Sequence, residues 1–378
     1  MENLLGAYGE WAAALAPEPA RLSFRQPGWS DLEAWRSTAR ARVRETLLPP
    51  DTGPLSAATM QRRVEQDGLE IELLTWQLAF GPPTEALLLK PAGARGPLPG
   101  VLALHDHGGS KAFGWRKIAR FDDGLHPLLR QHQERYYGGL AWANELARRG
   151  HVVLVPDAFL FASRRVPGAD LPAAVNPDGI LDDLDSEEGA AAFNRMAATH
   201  EPTVMKSILC AGTTLPGIVG AEDQRALDHL LARPEVDPSR VGCCGLSGGG
   251  LRSVYLSGLD ERLSCACCVG MMTTWRDFLL NRSNRHSWMG YIPALPRDLD
   301  YPEILALAVP RPILVLNNRD DALFTLPEME RAQRMLASIY DKAGAPDRHR
   351  TTFHPGPHKF DAAMQAEAFA WLDRWLGR

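Results

Sequence analysis

Long apolar runs are missing from this sequence of 378 residues. No stretch reaches the ~18 residues of a membrane-spanning helix. The nearest, residues 304–316, is interrupted by Pro310-Arg311-Pro312. Blocks of basic charge are missing too. Lys and Arg number 41 against 46 Asp and Glu, and the net charge of -5 argues against nucleic acid or an anionic membrane as partner. The opening MENLLGAYGEWAAALAPEP has neither the basic nor the compact apolar region of a secretory signal, so a cytoplasmic protein is expected. Cysteine is scarce. Five of the six (Cys243, Cys244, Cys265, Cys267 and Cys268) lie in apolar, strand-like runs, and Cys210 stands alone. All six are expected to be buried thiols in a reducing compartment. Cys265 and Cys268 have CxxC spacing, but an extended strand turns them to opposite faces, and no second pair completes a zinc site. Internal repeats and low-complexity tracts are also lacking.

What is present is material for a large core. Apolar residues make up 45% and charged residues 23%, a balance that excludes disorder as the main theme. Gly (33) and Pro (29) predict many turns and long connections. Residues 31–48 carry helical periodicity through Leu32, Trp35, Ala39, Val43 and Leu47. Strand-like runs follow at 71–80, 85–90, 99–105, 151–156, 240–246, 263–269, 312–317 and 349–353. Helical segments are expected at 140–149, 221–232, 251–259, 327–342 and 361–376. Near-continuous apolar strands alternating with helices predict an α/β fold with a mostly parallel sheet covered on both faces. The expected organisation is a helical N-terminal extension over 1–70 and a catalytic domain over 71–378. Within that domain, residues 159–217 form a partly helical cap, because a structureless loop of that length is improbable in a compact domain. Residues 108–138 read as a second, smaller insertion.

The sharpest local signal is Gly245-Leu246-Ser247-Gly248-Gly249, placed after an apolar strand and before a helical stretch. A serine held on a tight strand-to-helix turn exposes its hydroxyl, and glycines at 245 and 249 let strand and helix approach closely. Such a serine needs a base, expected late in the chain. His358, in the loop 353–360, fits better than His354, which still belongs to the strand end. An acid must then orient the imidazole. Asp321, following the strand 313–318, is favoured over Asp320, with Asp277 as a further alternative. The oxyanion donors are expected to be the N–H groups of Gly248 and His107, the latter in the loop 105–109. The H-x-H pair His105 and His107 lacks the partners of a metal site, so neither a metal nor a cofactor is expected.

This order of Ser247, Asp321 and His358, with the 105–109 loop upstream, resembles the α/β-hydrolase superfamily. Within it, the chain is similar to the dienelactone hydrolase and acetyl xylan esterase branch over residues 70–378. The similarity is carried by PEVDPSRVGCCGLSGGG (234–250), RPILVLNNRDDALFTLPEMERA (311–332) and FHPGPHKF (353–360). In that branch the acid precedes an x-L-F-P run, matched by Asp321-Ala322-Leu323-Phe324-Thr325, which implies Asp321. Two departures stand out: Asp106 follows His105 where the branch has Gly, and Thr325 replaces Pro. The resemblance implies an α/β-hydrolase fold and a serine esterase acting on a small-molecule carboxylic ester. A C–C bond hydrolase or an acyltransferase would use the same residues, and a non-catalytic binding module would be expected to lack one of them. The 159–217 cap is expected to cover Ser247, with Phe159, Phe161, Arg164 and Arg165 facing substrate. Phe159, Phe161, Trp275 and Trp288 could supply the aromatic surface of a C–C hydrolase. The sequence leaves the oligomeric state open, a homo-oligomer included.

Overall fold

The computed structural model describes residues 3–377. Its strands are β1 (Thr59–Gln66), β2 (Leu69–Trp76), β3 (Thr84–Pro91), β4 (Leu98–Leu104), β5 (Val152–Pro156), β6 (Val236–Leu246), β7 (Cys265–Val269), β8 (Ile313–Asn318) and β9 (His349–His354). They form one nine-stranded sheet in the order β1-β2-β3-β5-β4-β6-β7-β8-β9. Strands β5, β4, β6, β7, β8 and β9 run parallel, while β1, β2 and β3 add an antiparallel edge. The helices are α1 (Gly9–Ala14), α2 (Leu32–Leu47), α3 (Pro127–Tyr137), α4 (Trp142–Arg148), α5 (Glu187–Cys210), α6 (Leu215–Leu231), α7 (Gly248–Leu259), α8 (Tyr301–Ala306), α9 (Leu326–Lys342) and α10 (Ala362–Leu376).

The period of two along each central strand divides the core into two layers. Leu102, Leu104, Val241, Cys243, Ala266, Cys268, Ile313 and Val315 pack under α2, α6, α7, α8 and α9. Val101, Ala103, Cys244, Leu246, Cys265, Cys267, Leu314 and Leu316 pack under α4 and α10. Cys265 and Cys268 thus lie on opposite faces. Cys210 departs from the expectation of six buried thiols. It is exposed, because the last turn of α5 faces solvent.

The N-terminal segment is not helical to residue 70. Helix α2 starts at the N-cap Asp31, whose carboxylate accepts from the Glu33 and Ala34 N–H groups, and it ends at Leu47. Strand β1 then joins the sheet edge. Its sequence TMQRRVEQ is exposed or half-exposed on both faces and has little apolar alternation to reveal it. The available signal was the turn Asp67-Gly68, both at positive φ, a pairing typical of tight hairpins.

Three long excursions leave the C-terminal ends of the strands. The first, between β4 and β5, contains α3. The second, between β5 and β6, runs irregularly to the N-cap Ser186 and then forms α5. These two pack on each other through Ala112, Phe113, Leu129, Ala190, Phe193 and Met196. The third, residues 270–300 between β7 and β8, was not expected as a separate feature and matters most for the site. Among the described residues, no single helix is long and apolar enough to cross a membrane.

Helices α6 and α7 are joined by a buried ion pair. The Arg252 guanidinium donates twice to the Asp223 carboxylate, at 2.6 and 3.0 Å, and both side chains are 1% exposed. Removing one partner strands a charge in the core, whereas replacing both with apolar groups removes the penalty. Asp223→Ala is therefore expected to lower unfolding stability by about 3–5 kcal/mol in urea titrations. The Asp223→Leu/Arg252→Met double variant should recover most of that loss. A double variant no more stable than Asp223→Ala would contradict this reading.

Candidate active site

Ser247 sits between the end of β6 and the start of α7 at φ 57, ψ -117, a conformation that a side-chain-bearing residue adopts only when its surroundings impose it. Hydrogen bonds on both sides of the serine impose it. The Ser247 N–H donates to the Val269 carbonyl at 2.8 Å, and α7 closes back with the Leu251 N–H on the Ser247 carbonyl at 2.8 Å. A Cβ at Gly249 would collide with the carbonyl oxygen of Leu104, at the end of β4. One at Gly245 would stand 2.5 Å from the same oxygen. The two glycines thus let β4, β6 and α7 converge on the serine.

The same close packing brings the expected oxyanion donors together. A Cβ at Gly248 would lie 2.9 Å from the His107 nitrogen. Among the described residues, neither the His107 N–H nor the Gly248 N–H donates to another group. Gly248 opens α7, where backbone N–H groups lack intrahelical acceptors and the helix dipole favours negative charge.

His358 lies on the loop after β9, and its Nδ1 is 2.6 Å from Asp321 Oδ2. Asp321 is buried, and its other oxygen accepts from the Leu323 N–H at 2.9 Å. The alternatives have other partners. Asp320 is exposed and pins the 353–360 loop by accepting from the Gly356 N–H at 2.9 Å. Asp277 accepts from the Thr273 hydroxyl and from both the N–H and the hydroxyl of Thr325. A proline at 325 could supply neither of the last two bonds. His354 pairs with Glu367 at 2.9 Å.

Ser247, Gly248, His107 and His358 face one cavity of about 190 Å³. Its lining combines apolar Leu251, Met271, Met289 and Leu323 with polar Tyr136, Arg285, His286 and Ser287. Residues 285–290 come from the excursion between β7 and β8. Burial holds the His286 imidazole down to about 4, and its Nε2 lies 2.9 Å from the Leu323 carbonyl.

The segment 159–217 supplies none of the lining residues, which corrects the expected lid. Phe161 is buried, and the His105 and His107 rings each pack against it with centroids 5.2 Å apart. The Phe159 N–H donates to Glu222 at 2.6 Å, and Arg164 is buried against the same carboxylate at 2.6 Å. Arg165 pairs with Asp182 at 2.9 Å. Aromatic and basic residues after a strand gave no sign that this stretch turns toward α6 rather than toward Ser247. The segment approaches the site through Glu201, which lies 3.7 Å from His107 Nε2 and accepts from the Trp288 N–H at 3.1 Å. Burial would raise Glu201, but His107 and Lys111 beside it hold it down to about 2.

Sequence reasoning also missed what lies beneath the 105–109 loop. Asp106 is buried and bonded to the Tyr137 hydroxyl and, at 3.1 Å, to His132 Nε2. Burial alone would raise this carboxyl, but His132 and Lys117 keep it well below the usual range. The signal was an acidic residue at the end of an apolar strand, where a charge is tolerated only with buried partners. Among the described residues, no cluster of three or more His, Cys, Asp or Glu could hold a metal.

No protein-family model matches the chain. A candidate hydrolase of Bacillus subtilis (strain 168), YtaP, is 26% identical over 330 residues, which cover 86% of this chain and 95% of that one. A candidate acetyl xylan esterase from Bacteroides fragilis NCTC 9343 superposes with a TM-score of 0.68 at 17% identity, over 93% of this chain and 83% of that one. A glucuronoyl esterase from Solibacter usitatus gives a TM-score of 0.61 at 16% identity, over 94% of this chain and 96% of that one. With its nine-stranded, mostly parallel sheet and the serine turn between β6 and α7, the chain has the α/β-hydrolase fold.

Proposed function

We propose that the protein is a serine hydrolase that cleaves a carboxylic ester. The observation that carries this reading is the meeting, in one cavity, of Ser247 on its strained turn, two unengaged backbone N–H groups, and His358 backed by Asp321. With Nδ1 held by Asp321, His358 keeps Nε2 for the serine hydroxyl. Ser247 Oγ attacks the ester carbonyl while Nε2 takes its proton. The His107 and Gly248 N–H groups hold the developing oxyanion. Collapse expels the alcohol, which leaves with that proton, and water then releases the acid by the same route.

The cavity supports a small acyl group. Its volume of about 190 Å³ falls below the ~300–1,000 Å³ of pockets for larger ligands. We assign the apolar lining residues to a short acyl chain and the polar ones to a hydrophilic alcohol. The esterase names of the structural neighbours favour an ester over a C–C bond. So does the cavity itself, since Phe159, Phe161, Trp275 and Trp288 are not among its lining residues.

A fluorophosphonate is expected to label the protein at Ser247. Ser247→Ala should abolish labelling and lower kcat for p-nitrophenyl acetate by about 10⁴–10⁶-fold with folding intact. A variant retaining a tenth of the activity would exclude Ser247 as nucleophile. The acid is tested separately. Asp321→Asn should cost about 10⁴-fold in kcat, and Asp320→Asn less than about tenfold. The reverse ranking would move the acid to Asp320. Substrate size provides a third check. Met289→Ala should raise the butyrate-to-acetate preference by about tenfold, whereas Phe161→Leu should leave that ratio unchanged while lowering Tm. A shift produced by Phe161→Leu alone would return the acyl pocket to the 159–217 segment.

A further inference from the structure

The fully buried ammonium of Lys117 has no role in the reading above. It sits on a short helical turn, Trp115–Lys117, anchored by the Trp115 N–H on Asp157 at 2.8 Å. Its Nζ is 3.9 Å from the nearest carboxylate oxygen, Asp106 Oδ2, so it makes no close ion pair there. Instead it donates to two backbone carbonyls, those of Asp106 at 2.8 Å and His107 at 2.9 Å, and lies 4.6 Å from the centre of the Phe161 ring. A buried ammonium is costly, and here its hydrogen bonds go to the loop that carries one of the oxyanion donors.

Peptide geometry gives that choice a consequence. The Asp106 carbonyl and the His107 N–H belong to one planar trans unit and point in opposite directions. Holding the carbonyl on Lys117 turns the N–H to the far side, where Gly248 lies. A cation on the carbonyl oxygen also polarises the amide and makes its N–H a stronger donor. Resting on the serine-hydrolase reading, we propose that Lys117 is a positioning residue for the oxyanion hole: it fixes and polarises the Asp106–His107 peptide so that the His107 N–H meets the tetrahedral intermediate. It touches no reacting atom.

The charged groups around it define a pH signature. Burial lowers Lys117 to about 8, with Asp106 and Asp157 holding the proton and Arg252 and Lys111 opposing it. His105, His107, His132 and Tyr137 are further titratable groups around this loop, and Glu201 pairs with Lys111. The Lys117 charge, and the polarisation it provides, is therefore lost as pH rises through about 8.

Lys117→Met keeps the length and removes the charge. For p-nitrophenyl acetate, kcat is expected to fall about 10²-fold with KM within about threefold, because the contact acts on the transition state. Inhibition by benzeneboronic acid, which forms a tetrahedral adduct on serine, should weaken by a similar factor. A kcat within about threefold of the unaltered protein, or a lost kcat with undiminished boronate affinity, would overturn the proposal. Should the variant not fold, the unaltered protein decides: kcat falling above about pH 8 with an unchanged circular dichroism spectrum supports it, and a flat profile to pH 10 overturns it. Fluorophosphonate labelling separates the two readings. An unlabelled, inactive native protein removes both, while a labelled and active one confines any failure to Lys117.

Discussion

The geometry of the site depends on one close approach: backbone against backbone where β4, β6 and α7 converge. Glycines at 245 and 249 allow the Leu104 carbonyl to press against the turn, and the Ser247 N–H on Val269 and the Leu251 N–H on Ser247 hold the serine at a positive φ. Once the turn is fixed, several features follow together. The serine is lifted off the sheet, α7 presents its first free N–H beside it, and the loop leaving β4 is brought within reach of that N–H. A side chain at either glycine would push the strands apart and separate all three.

The loop after β4 carries a burden of its own, because a backbone aimed at a cavity must be held from behind. Here the support is polar. Asp106 is gripped by His132 and Tyr137 from α3, Lys117 takes two successive carbonyls, and Phe161 packs against both flanking histidines. The excursions around the site thus divide the labour. Residues from the first two brace the loop, while Arg285, His286, Ser287, Met289 and Gly290 of the third, with Tyr136 of the first, enclose the cavity. Glu201 joins them, touching His107 on one side and the Trp288 N–H on the other.

Much of this was legible in the chain. The central parallel strands declared themselves through apolar runs, and the serine turn through its glycines and flanks. The meeting of His358 with Asp321 could be expected from chain order and loop position. Aspartate 321 could be preferred over its neighbour, but the geometry that separates them is tertiary: Asp321 is buried beneath His358, while Asp320 turns outward to the Gly356 N–H. Strand β1 escaped notice because an exposed edge strand needs no apolar alternation. The wall formed by residues 285–290 escaped because short irregular turns carry no periodicity.

By itself, the sequence determined the features that depend on neighbours along the chain: alternation in strands, glycines where backbones meet, and the order of serine, acid and histidine. Tertiary structure alone decided which excursion faces the cavity and which side chains brace the loop. Phe161 and Arg164 read as substrate contacts from composition, yet each is held by a partner far along the chain or across the sheet, His105 and His107 for one and Glu222 for the other. The physical reason is that a buried polar or aromatic group is oriented by whichever partner satisfies it. For Asp106, Lys117 and Arg164 those partners lie 10 to 84 residues away.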